Sequence, residues 1–215
     1  MTQRGRFITV EGGEGVGKST NISFIRDLLE QEGHSVVVSR EPGGTALSEQ
    51  IRGLLLDATQ TDMSAMTELL LIFAARAQHL HERILPALAS GQWVLCDRFT
   101  DATYAYQGGG RGFDETLIAQ LEALVQGELR PDLTLVLDID PEQGIARARE
   151  RAALDRFEQE KLAFFARVRD NYRRRAETSE RHVLIDASQP LSSVQSGIRC
   201  QLQKFLERTR QEVSS

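Results

Sequence analysis

The sequence predicts an α/β fold in which a five-stranded parallel sheet carries helices on both faces. Two observations support this prediction. Five short apolar runs recur along the chain, and longer segments with a helical spacing of apolar residues separate them. Because strands that alternate with helices are joined in parallel by right-handed crossovers, helices are expected on both sides of the sheet. The runs lie at residues 7–10, 35–39, 93–96, 133–137 and 182–185.

The first unit of this pattern is a strand, a loop, a helix and a second strand. The strand 7–10 stops before a glycine pair, and helix-compatible sequence extends from Lys18 to Glu32. Gly33 is suited to end that helix, since glycine readily adopts the left-handed conformation found at helix C-termini. The run 35–39 is apolar throughout its centre, which is typical of a strand buried on both faces.

Two long helices are predicted next. Helical spacing covers residues 47–56 and 67–89, and Pro86 is expected to bend or restart the second helix. The last three strands each end at an aspartate, and ligands of such sheets bind beyond the carboxyl ends of the strands. One rim of the sheet is therefore predicted to carry Gly12, Arg40, Asp97 and Asp138.

Length and composition narrow the class of protein. A chain of 215 residues matches one domain spanning 1–215, because a single core stops growing at about 250 to 300 residues. With 40% hydrophobic and 27% charged residues, the chain is unlike disordered, collagen-like or disulfide-dense proteins. A net charge of -5 argues against a nucleic-acid-binding surface, and no apolar stretch approaches the ~20 residues that span a bilayer. We expect a cytoplasmic protein that binds neither nucleic acid nor membrane, with Cys96 and Cys200 as free thiols.

A glycine-rich segment from Gly12 to Ser19, GGEGVGKS, matches the phosphate-binding pattern GxxxxGK[ST] between a predicted strand and a predicted helix. Its glycines let backbone N–H groups approach phosphate oxygens at the positive end of the helix. Lys18 adds a cation near the β- and γ-phosphates, and Ser19 offers a hydroxyl to Mg²⁺. The alternative is a glycine-rich turn that only connects the strand to the helix. It is disfavoured because the motif positions, the preceding strand and the following helix all agree with a phosphate loop. The predicted ATP-binding residues here are Gly12, Gly13, Glu14, Gly15, Val16, Gly17, Lys18, Ser19 and Thr20.

The phosphate loop does not specify a reaction, because kinases, GTPases, motor ATPases and nucleotide switches share it. The NKxD sequence of GTPases is absent. Two rim segments, REPGGT at 40–45 and DRF at 97–99, each place a guanidinium and a carboxylate beyond a strand. Such pairs suit a hydrated Mg²⁺ and a bidentate grip on phosphate, although each pair alone is equally compatible with a structural ion pair.

From Phe7 to about Pro190 the chain resembles the bacterial branch of the thymidylate kinase family. The resemblance rests on the order and spacing of EGGEGVGKST, REPGGT, FAARAQH, CDRF, YAYQGGGRG and RARERAALDRFE. It implies the fold of P-loop nucleoside monophosphate kinases and phosphoryl transfer from Mg²⁺-ATP to dTMP, which gives dTDP and ADP in dTTP biosynthesis. It also implies a homodimer built from long helices, for which the apolar run 69–75 could serve as core or as interface.

The resemblance assigns an acceptor site residue by residue. Glu14 corresponds to an acid that approaches the 3'-hydroxyl of thymidine, and Arg98 and Arg52 correspond to arginines that hold the acceptor phosphate. Arg76 corresponds to the arginine that reads a thymine carbonyl. Tyr106 corresponds to an aromatic wall that disfavours a ribose 2'-hydroxyl. The other implied members of this dTMP pocket are Arg40, Glu41, Pro42, Thr103 and Gln107.

One position departs from the family pattern. A base-stacking phenylalanine is usual four residues before the base-reading arginine, where this chain has Ile72, and Phe73 follows it. Since offsets of three and four both lie near one helix face, Phe73 is preferred as the stacking ring. A phenylalanine that only fills the core is the alternative.

Residues 144–158 contain a run of arginines, Arg147, Arg149, Arg151 and Arg156. Such a run is usually a solvated helix face, but the resemblance implies a mobile lid within the kinase domain. Arg151 corresponds to a lid cation that stabilises charge on the transferring phosphoryl group, and Arg147, four residues away, can point the same way toward ATP. The catalytic set implied is Lys18, Asp97, Arg98 and Arg151, with Ser19 and Asp97 holding Mg²⁺.

Two rival interpretations remain open. A kinase of another monophosphate or of a deoxynucleoside would share the fold and the triphosphate site and would differ in the acceptor pocket. A nucleotide-binding switch without catalysis would use the arginines to bind a protein partner. Acceptor-dependent release of ADP separates a switch from a kinase.

Overall fold

A five-stranded parallel sheet forms the centre of the computed structural model, which describes residues 4–60, 62–151 and 155–214. The strand order is β2-β3-β1-β4-β5, and every neighbouring pair is parallel. All five predicted strands are confirmed, and each extends to the rim residue that follows its apolar run. Their bounds are β1 Phe7–Gly12, β2 Val36–Arg40, β3 Trp93–Asp97, β4 Leu133–Asp138 and β5 His182–Asp186.

Nine α-helices connect and cover these strands within the described part of the chain. Gly33, with a φ of 86°, follows the first helix as predicted. The helices are α1 Lys18–Gln31, α2 Ala46–Leu56, α3 Ala65–His79, α4 Leu85–Ala89, α5 Thr100–Thr103, α6 Glu115–Gln126, α7 Pro141–Arg151, α8 Leu162–Ala176 and α9 Leu191–Ser214. Among the described residues, none of these helices combines the length and the apolar character that a passage through a lipid bilayer requires.

A widened helical turn precedes Pro86 in the long helical segment after residue 65. The segment continues from α3 through Leu80–Ile84, where the hydrogen bonds span five residues, into α4. Pro86 lies in the first turn of α4, where its missing N–H costs least. The helix thus restarts near Pro86 as expected, and the widened turn just before the proline is where the helical geometry changes. A second widened turn, Tyr104–Gly110, follows α5 and carries part of the site.

The two faces of the sheet pack against different helices. Along β1, Ile8 and Val10 belong to a core shared with α1 and α9, whereas Phe7 points to the opposite face and packs against Phe99. This alternation follows from the two-residue period of a strand. Each of these apolar side chains is fully buried, which stabilises the fold by roughly 1.5 to 3 kcal/mol apiece. The sheet is therefore a rigid platform for its carboxyl rim.

Strand register brings the predicted rim together. Asp97 is paired with Val10 on one side and with Arg40 on the other, and Gly12 is paired with Leu137. The residues after β1, β2 and β3 therefore emerge side by side. This is the edge at which parallel sheets of this class bind ligands.

Candidate active site

The phosphate loop connects β1 to α1. It bends at glycines whose backbone conformation is difficult for any residue that has a side chain. Gly15 and Gly17 have φ values of 65° and 83°. The ammonium group of Lys18 reaches back across the loop and donates to the carbonyl oxygen of Gly13 at 3.0 Å. Burial and the nearby guanidinium of Arg98 lower the pKa of Lys18, so an anion bound in the loop would stabilise its charged form.

A cavity of about 580 Å³ opens between this loop, the ends of β2 and β3, helix α3 and the turn after residue 155. Its lining residues come from several motifs that lie far apart along the chain. Of the predicted site residues, it is lined by Glu14, Gly15, Val16, Gly17, Lys18, Ser19, Thr20, Arg40, Glu41, Pro42, Arg52, Arg76, Asp97, Arg98, Thr103, Tyr106, Gln107 and Arg147. Gly12 and Gly13 lie behind the wall, where Gly12 accepts from Arg98 at 2.9 Å.

Arg98 is held beside the phosphate loop in a conformation unusual for a side chain. Its φ is 66°, in the left-handed region that favours glycine, and such strain is often retained at functional sites. The guanidinium donates to Glu14 Oε1 at 2.8 Å and stacks over the ring of Tyr106, whose hydroxyl donates to the same oxygen at 2.6 Å. Burial raises the pKa of Tyr106, which keeps its phenol protonated as a donor. The three side chains form one preorganised cluster.

A buried carboxylate that sequence reasoning missed supports this cluster. Glu11 is inaccessible to solvent and accepts from the backbone N–H of Phe99 at 2.7 Å and from the hydroxyl of Tyr172 at 3.0 Å. Burial and the nearby carboxylate of Asp101 raise the pKa of Glu11 to about 8. A charged residue inside an apolar strand directly before the glycines was the available signal, because such a residue is rarely buried without a role.

Two further cations lie near Arg98 at the end of the second strand. Arg52 donates to the carbonyl oxygen of Pro42 at 2.8 Å, and burial together with Arg40 lowers its pKa. Arg40 is paired with Glu49 at 2.8 Å and is half exposed. Because a neighbouring cation lowers the pKa of Arg52 in this cleft, an anionic ligand would be favoured there, since it would relieve the repulsion between the two guanidinium groups.

The chemistry of Asp97 and Ser19 fits a hydrated divalent cation. Both side chains line the cavity, and Asp97 Oδ1 is buried without a hydrogen-bond partner among the described residues. A buried carboxylate oxygen left unpaired is costly, so a ligand is expected there. The described residues contain no group of three or more His, Cys, Asp or Glu side chains that could hold a metal ion. A cation that keeps most of its water, as Mg²⁺ does, suits such a sparse set.

Arg76 lies at the bottom of the cavity and is 1% exposed. Its Nε donates to Glu41 at 2.7 Å, and His79 contacts the other oxygen of Glu41 at 3.0 Å. Three more hydrogen bonds go from the guanidinium to Gln126, to the carbonyl of Phe99 and to the hydroxyl of Thr103. A guanidinium has five N–H donors, so these four bonds leave one for a ligand.

The preference for Phe73 as the base-stacking ring is corrected by the structure. Ile72 lines the cavity, whereas Phe73 is buried in an apolar cluster with Leu69, Tyr104 and Ile118. The two residues are adjacent on α3 and therefore point about 100° apart around the helix. The residue four positions before Arg76 therefore faces the cavity with an aliphatic side chain, and the ring of Phe73 lies behind Arg76, with its centroid 5.0 Å from the guanidinium carbon.

The arginine-rich segment divides into two parts. Arg147, on α7, lines the cavity and donates to the carbonyl oxygen of Ala187 at 3.2 Å. Arg156 lies against α2 and α3, where it donates to the carbonyl oxygen of Leu55 at 2.7 Å and pairs with Glu68 at 2.7 Å. Arg151 is the last residue of α7, and its side chain lies outside the part of the chain that the structure describes.

Comparison with known proteins agrees with this geometry. A family model described as Thymidylate kinase matches residues 10–198. A thymidylate kinase of Teredinibacter turnerae is 58% identical over 203 residues, which cover 94% of this chain and 99% of that protein. One of Alcanivorax borkumensis is 60% identical over 192 residues, covering 89% and 92%.

The fold also matches a solved structure. The crystal structure of thymidylate kinase from Ehrlichia chaffeensis superposes with a TM-score of 0.76 at 33% identity, covering 93% of this chain and 99% of that one. The predicted fold of P-loop nucleoside monophosphate kinases and the predicted enzyme class are confirmed. On these matches, which span nearly its whole length, the chain belongs to the thymidylate kinase family.

Proposed function

We propose that this chain transfers the γ-phosphoryl group of ATP to dTMP within the cavity that joins the phosphate loop to the arginine-rich rim. The observation that carries the proposal is that one cavity is lined by Lys18 and Ser19 at one end and by Arg52, Arg98 and the base-pocket residues at the other. A triphosphate and a second anion are thereby directed toward each other. Phosphoryl transfer needs such an in-line arrangement.

The donor end holds ATP through the backbone N–H groups of residues 13–19, through Lys18 and through Arg147. Ser19 and Asp97 would hold Mg²⁺, which when bound neutralises charge on the β- and γ-phosphates. The unpaired oxygen of Asp97 is the structural support for this assignment.

The acceptor end holds dTMP. Arg98 and Arg52 grip its phosphate, and Tyr106 and Glu14 lie beside the sugar. Arg76, Gln107 and Thr103 face the base, with Ile72 as the apolar wall; all of these residues line the cavity. Because Tyr106 is pinned by Glu14, its ring is a fixed wall that disfavours a ribose 2'-hydroxyl.

In the reaction, a phosphate oxygen of dTMP forms a bond to the γ-phosphorus while the bond from that phosphorus to the bridging oxygen breaks, so that ADP leaves. The acceptor oxygen is already anionic, and a general base is therefore unnecessary. Lys18 and Arg98 stabilise the charge on the equatorial and acceptor oxygens and position both substrates. The same role on the lid side falls to Arg151.

Initial rates of ADP formation test the proposal. Each of dTMP, dUMP, UMP, CMP, GMP, AMP and thymidine is offered with Mg²⁺-ATP. A clear preference for dTMP over UMP supports the base pocket and the sugar wall together. Equal rates with ribonucleotides would contradict the assigned acceptor pocket. ADP release that does not depend on any acceptor would contradict the proposed kinase activity.

A homodimer is proposed on the evidence of one apolar surface. Leu47 and Leu54 on α2 and Met66 and Leu70 on α3 are 43% to 51% exposed, while Leu69, Ile72 and Phe73 of the same run are buried. Exposed apolar side chains on two packed helices suit a self-complementary interface. Light scattering of the wild type should give twice the chain mass of 24.0 kDa, and Leu70→Glu should give a monomer. A monomeric wild type contradicts this arrangement.

A further inference from the structure

A buried carboxylate outside the predicted site joins three separate segments beside the base pocket. Glu68, on α3, is 1% exposed. Its Oε1 accepts from Gln107 Nε2 at 2.8 Å and from Arg111 Nε at 3.1 Å, and its Oε2 contacts Arg111 at 3.0 Å and Arg156 at 2.7 Å. No sequence motif indicated this residue.

Glu68 is held in its ionised form. Burial by itself would raise the pKa of Glu68, but the hydrogen bonds from Arg111 and Gln107 outweigh burial and hold the pKa below its ordinary value. The two arginines are anchored independently, Arg111 by an ion pair with Glu160 and by stacking on Phe164, and Arg156 by the carbonyl oxygen of Leu55. An ionised carboxylate is a hydrogen-bond acceptor and cannot donate.

This asymmetry determines which way the amide of Gln107 faces. Because Glu68 accepts only, Gln107 must turn its NH₂ group toward it, as the 2.8 Å contact shows. The carbonyl oxygen at the other end of the amide has no hydrogen-bond partner within the described residues, and Gln107 lines the cavity. Arg76 lines the same cavity with one N–H donor left over.

We propose that Glu68 is a specificity-determining positioning residue, which fixes the Gln107 carbonyl as an acceptor facing the base. The acceptor of Gln107 and the free donor of Arg76 together complement an imide, in which an N–H lies next to a carbonyl oxygen. Thymine and uracil present that pattern. Cytosine presents a ring nitrogen acceptor and an amino donor, so both contacts would be mismatched. The inference rests on the proposed function, and it assigns the choice of base to a residue that does not touch it.

The test is the ratio of kcat/KM for dTMP to kcat/KM for dCMP in the wild type and in Glu68→Gln. A glutamine at position 68 can donate as well as accept, so the Gln107 amide is free to turn over. The ratio is expected to fall at least about tenfold. A site whose hydrogen-bonding groups are fixed rejects a mismatched base far more strongly than a site whose amide can turn to match either base. A purely structural defect would lower both kcat/KM values alike and leave the ratio unchanged, which would overturn the proposal.

Glu160→Gln is the matched control. It removes the other carboxylate of Arg111 and leaves the contact between Glu68 and Gln107 intact, so its dTMP to dCMP ratio should equal that of the wild type. A drop as large as in Glu68→Gln would contradict the inference. If Glu68→Gln does not fold, Glu68→Asp keeps the charge and withdraws it from Gln107, and the same fall in ratio is expected.

Failure of the inference and failure of the proposed function look different. A wild type that prefers dTMP to dCMP, together with a Glu68→Gln variant that keeps this preference, sinks only the positioning role. A wild type without preference for dTMP contradicts the proposed acceptor and with it the positioning role.

Discussion

The two ends of the cavity are built in different ways. The proposed donor end is built mainly on one continuous segment, residues 12–20, whose backbone N–H groups and Lys18 lie together, and Asp97 and Arg147 add only two side chains from elsewhere. The acceptor end collects side chains from the ends of β2 and β3, from α2 and α3 and from the widened turn 104–110. Few of these side chains act alone, since Arg76 depends on Glu41, Arg98 on Glu14 and Gln107 on Glu68.

This difference has a consequence for how each end responds to change. A backbone site loses function mainly when its cation or its glycines are replaced. A site made of mutually oriented side chains also loses function when a supporting residue behind the wall is replaced, as preorganised sites generally do.

The largest effect is expected at the donor end. Lys18→Ala should lower kcat about 10³-fold, because it removes the cation that faces the transferring phosphoryl group. The measurement is the rate of ADP formation at saturating ATP and dTMP. Arg26→Ala, which changes an exposed arginine paired with Asp27 on the same helix, should keep the wild-type rate. A loss smaller than tenfold in Lys18→Ala would exclude this role.

At the acceptor end, Arg98→Ala should lower kcat/KM for dTMP about 10²-fold, while KM for ATP changes little. Arg98→Lys keeps the charge but loses the planar fork that also reaches Glu14 and Gly12, so only partial recovery is expected. Steady-state kinetics with each substrate varied in turn separates the two constants. An equal rise in KM for ATP and in KM for dTMP would show that the two ends are not independent.

Disruption of the contact between the phosphate loop and α7 is expected to lower kcat about tenfold. A Cβ added to Gly144 would overlap the carbonyl oxygen of Glu14, and one added to Gly15 would overlap that of Gly144. Gly144→Ala should therefore lower kcat even though alanine favours a helix. Gly197→Ala in α9 is the matched control, because its Cβ meets only Ile185 at 3.9 Å, and it should stabilise the fold by about 0.5 to 1 kcal/mol. Full activity in Gly144→Ala would show that the loop and α7 can separate freely.

The smallest effect is on stability and depends on pH. Glu11 has a pKa raised to about 8 in the folded state, against an ordinary value of 4.5, so the folded protein binds the extra proton between these values. The free energy of unfolding therefore falls as pH rises from about 5 to 8 on account of Glu11. Glu11→Gln removes this pH dependence. Relative to the wild type, its free energy of unfolding should therefore increase by about 1 kcal/mol or more between pH 5 and pH 9. Urea unfolding at pH 5, 7 and 9 measures the difference, and a constant gap between the two proteins would contradict it.

Much of the site could be predicted because its motifs are local. The five strands, the phosphate loop and the rim positions Arg40 and Asp97 follow from short patterns whose physical meaning does not depend on distant residues. The placement of Arg52, Tyr106 and Gln107 in one cavity agrees with the predicted assignment of these residues.

Other parts depended on contacts that no short pattern encodes. Glu11 and Tyr172 are 161 residues apart in sequence, and Arg98 and Glu14 are 84 apart. Glu68 belongs to no recognised motif, so the sequence did not indicate its burial, and the position of Glu11 in an apolar strand did not indicate its partners. The choice between Ile72 and Phe73 depended on the rotation of α3, which is set by packing of Phe73 against Leu69, Tyr104 and Ile118.

The sequence by itself determined the class of fold, the position of the phosphate loop and the family, because glycine conformations, strand periodicity and phosphate-loop spacing are properties of neighbouring residues. Only the tertiary structure decided which side chain of α3 lines the cavity, which carboxylates contact Arg98 and Gln107, and which groups Arg147 and Arg156 bind. These features are decided by burial and hydrogen bonding between distant segments, and an unpaired buried polar group costs too much for any of them to be left to local preference.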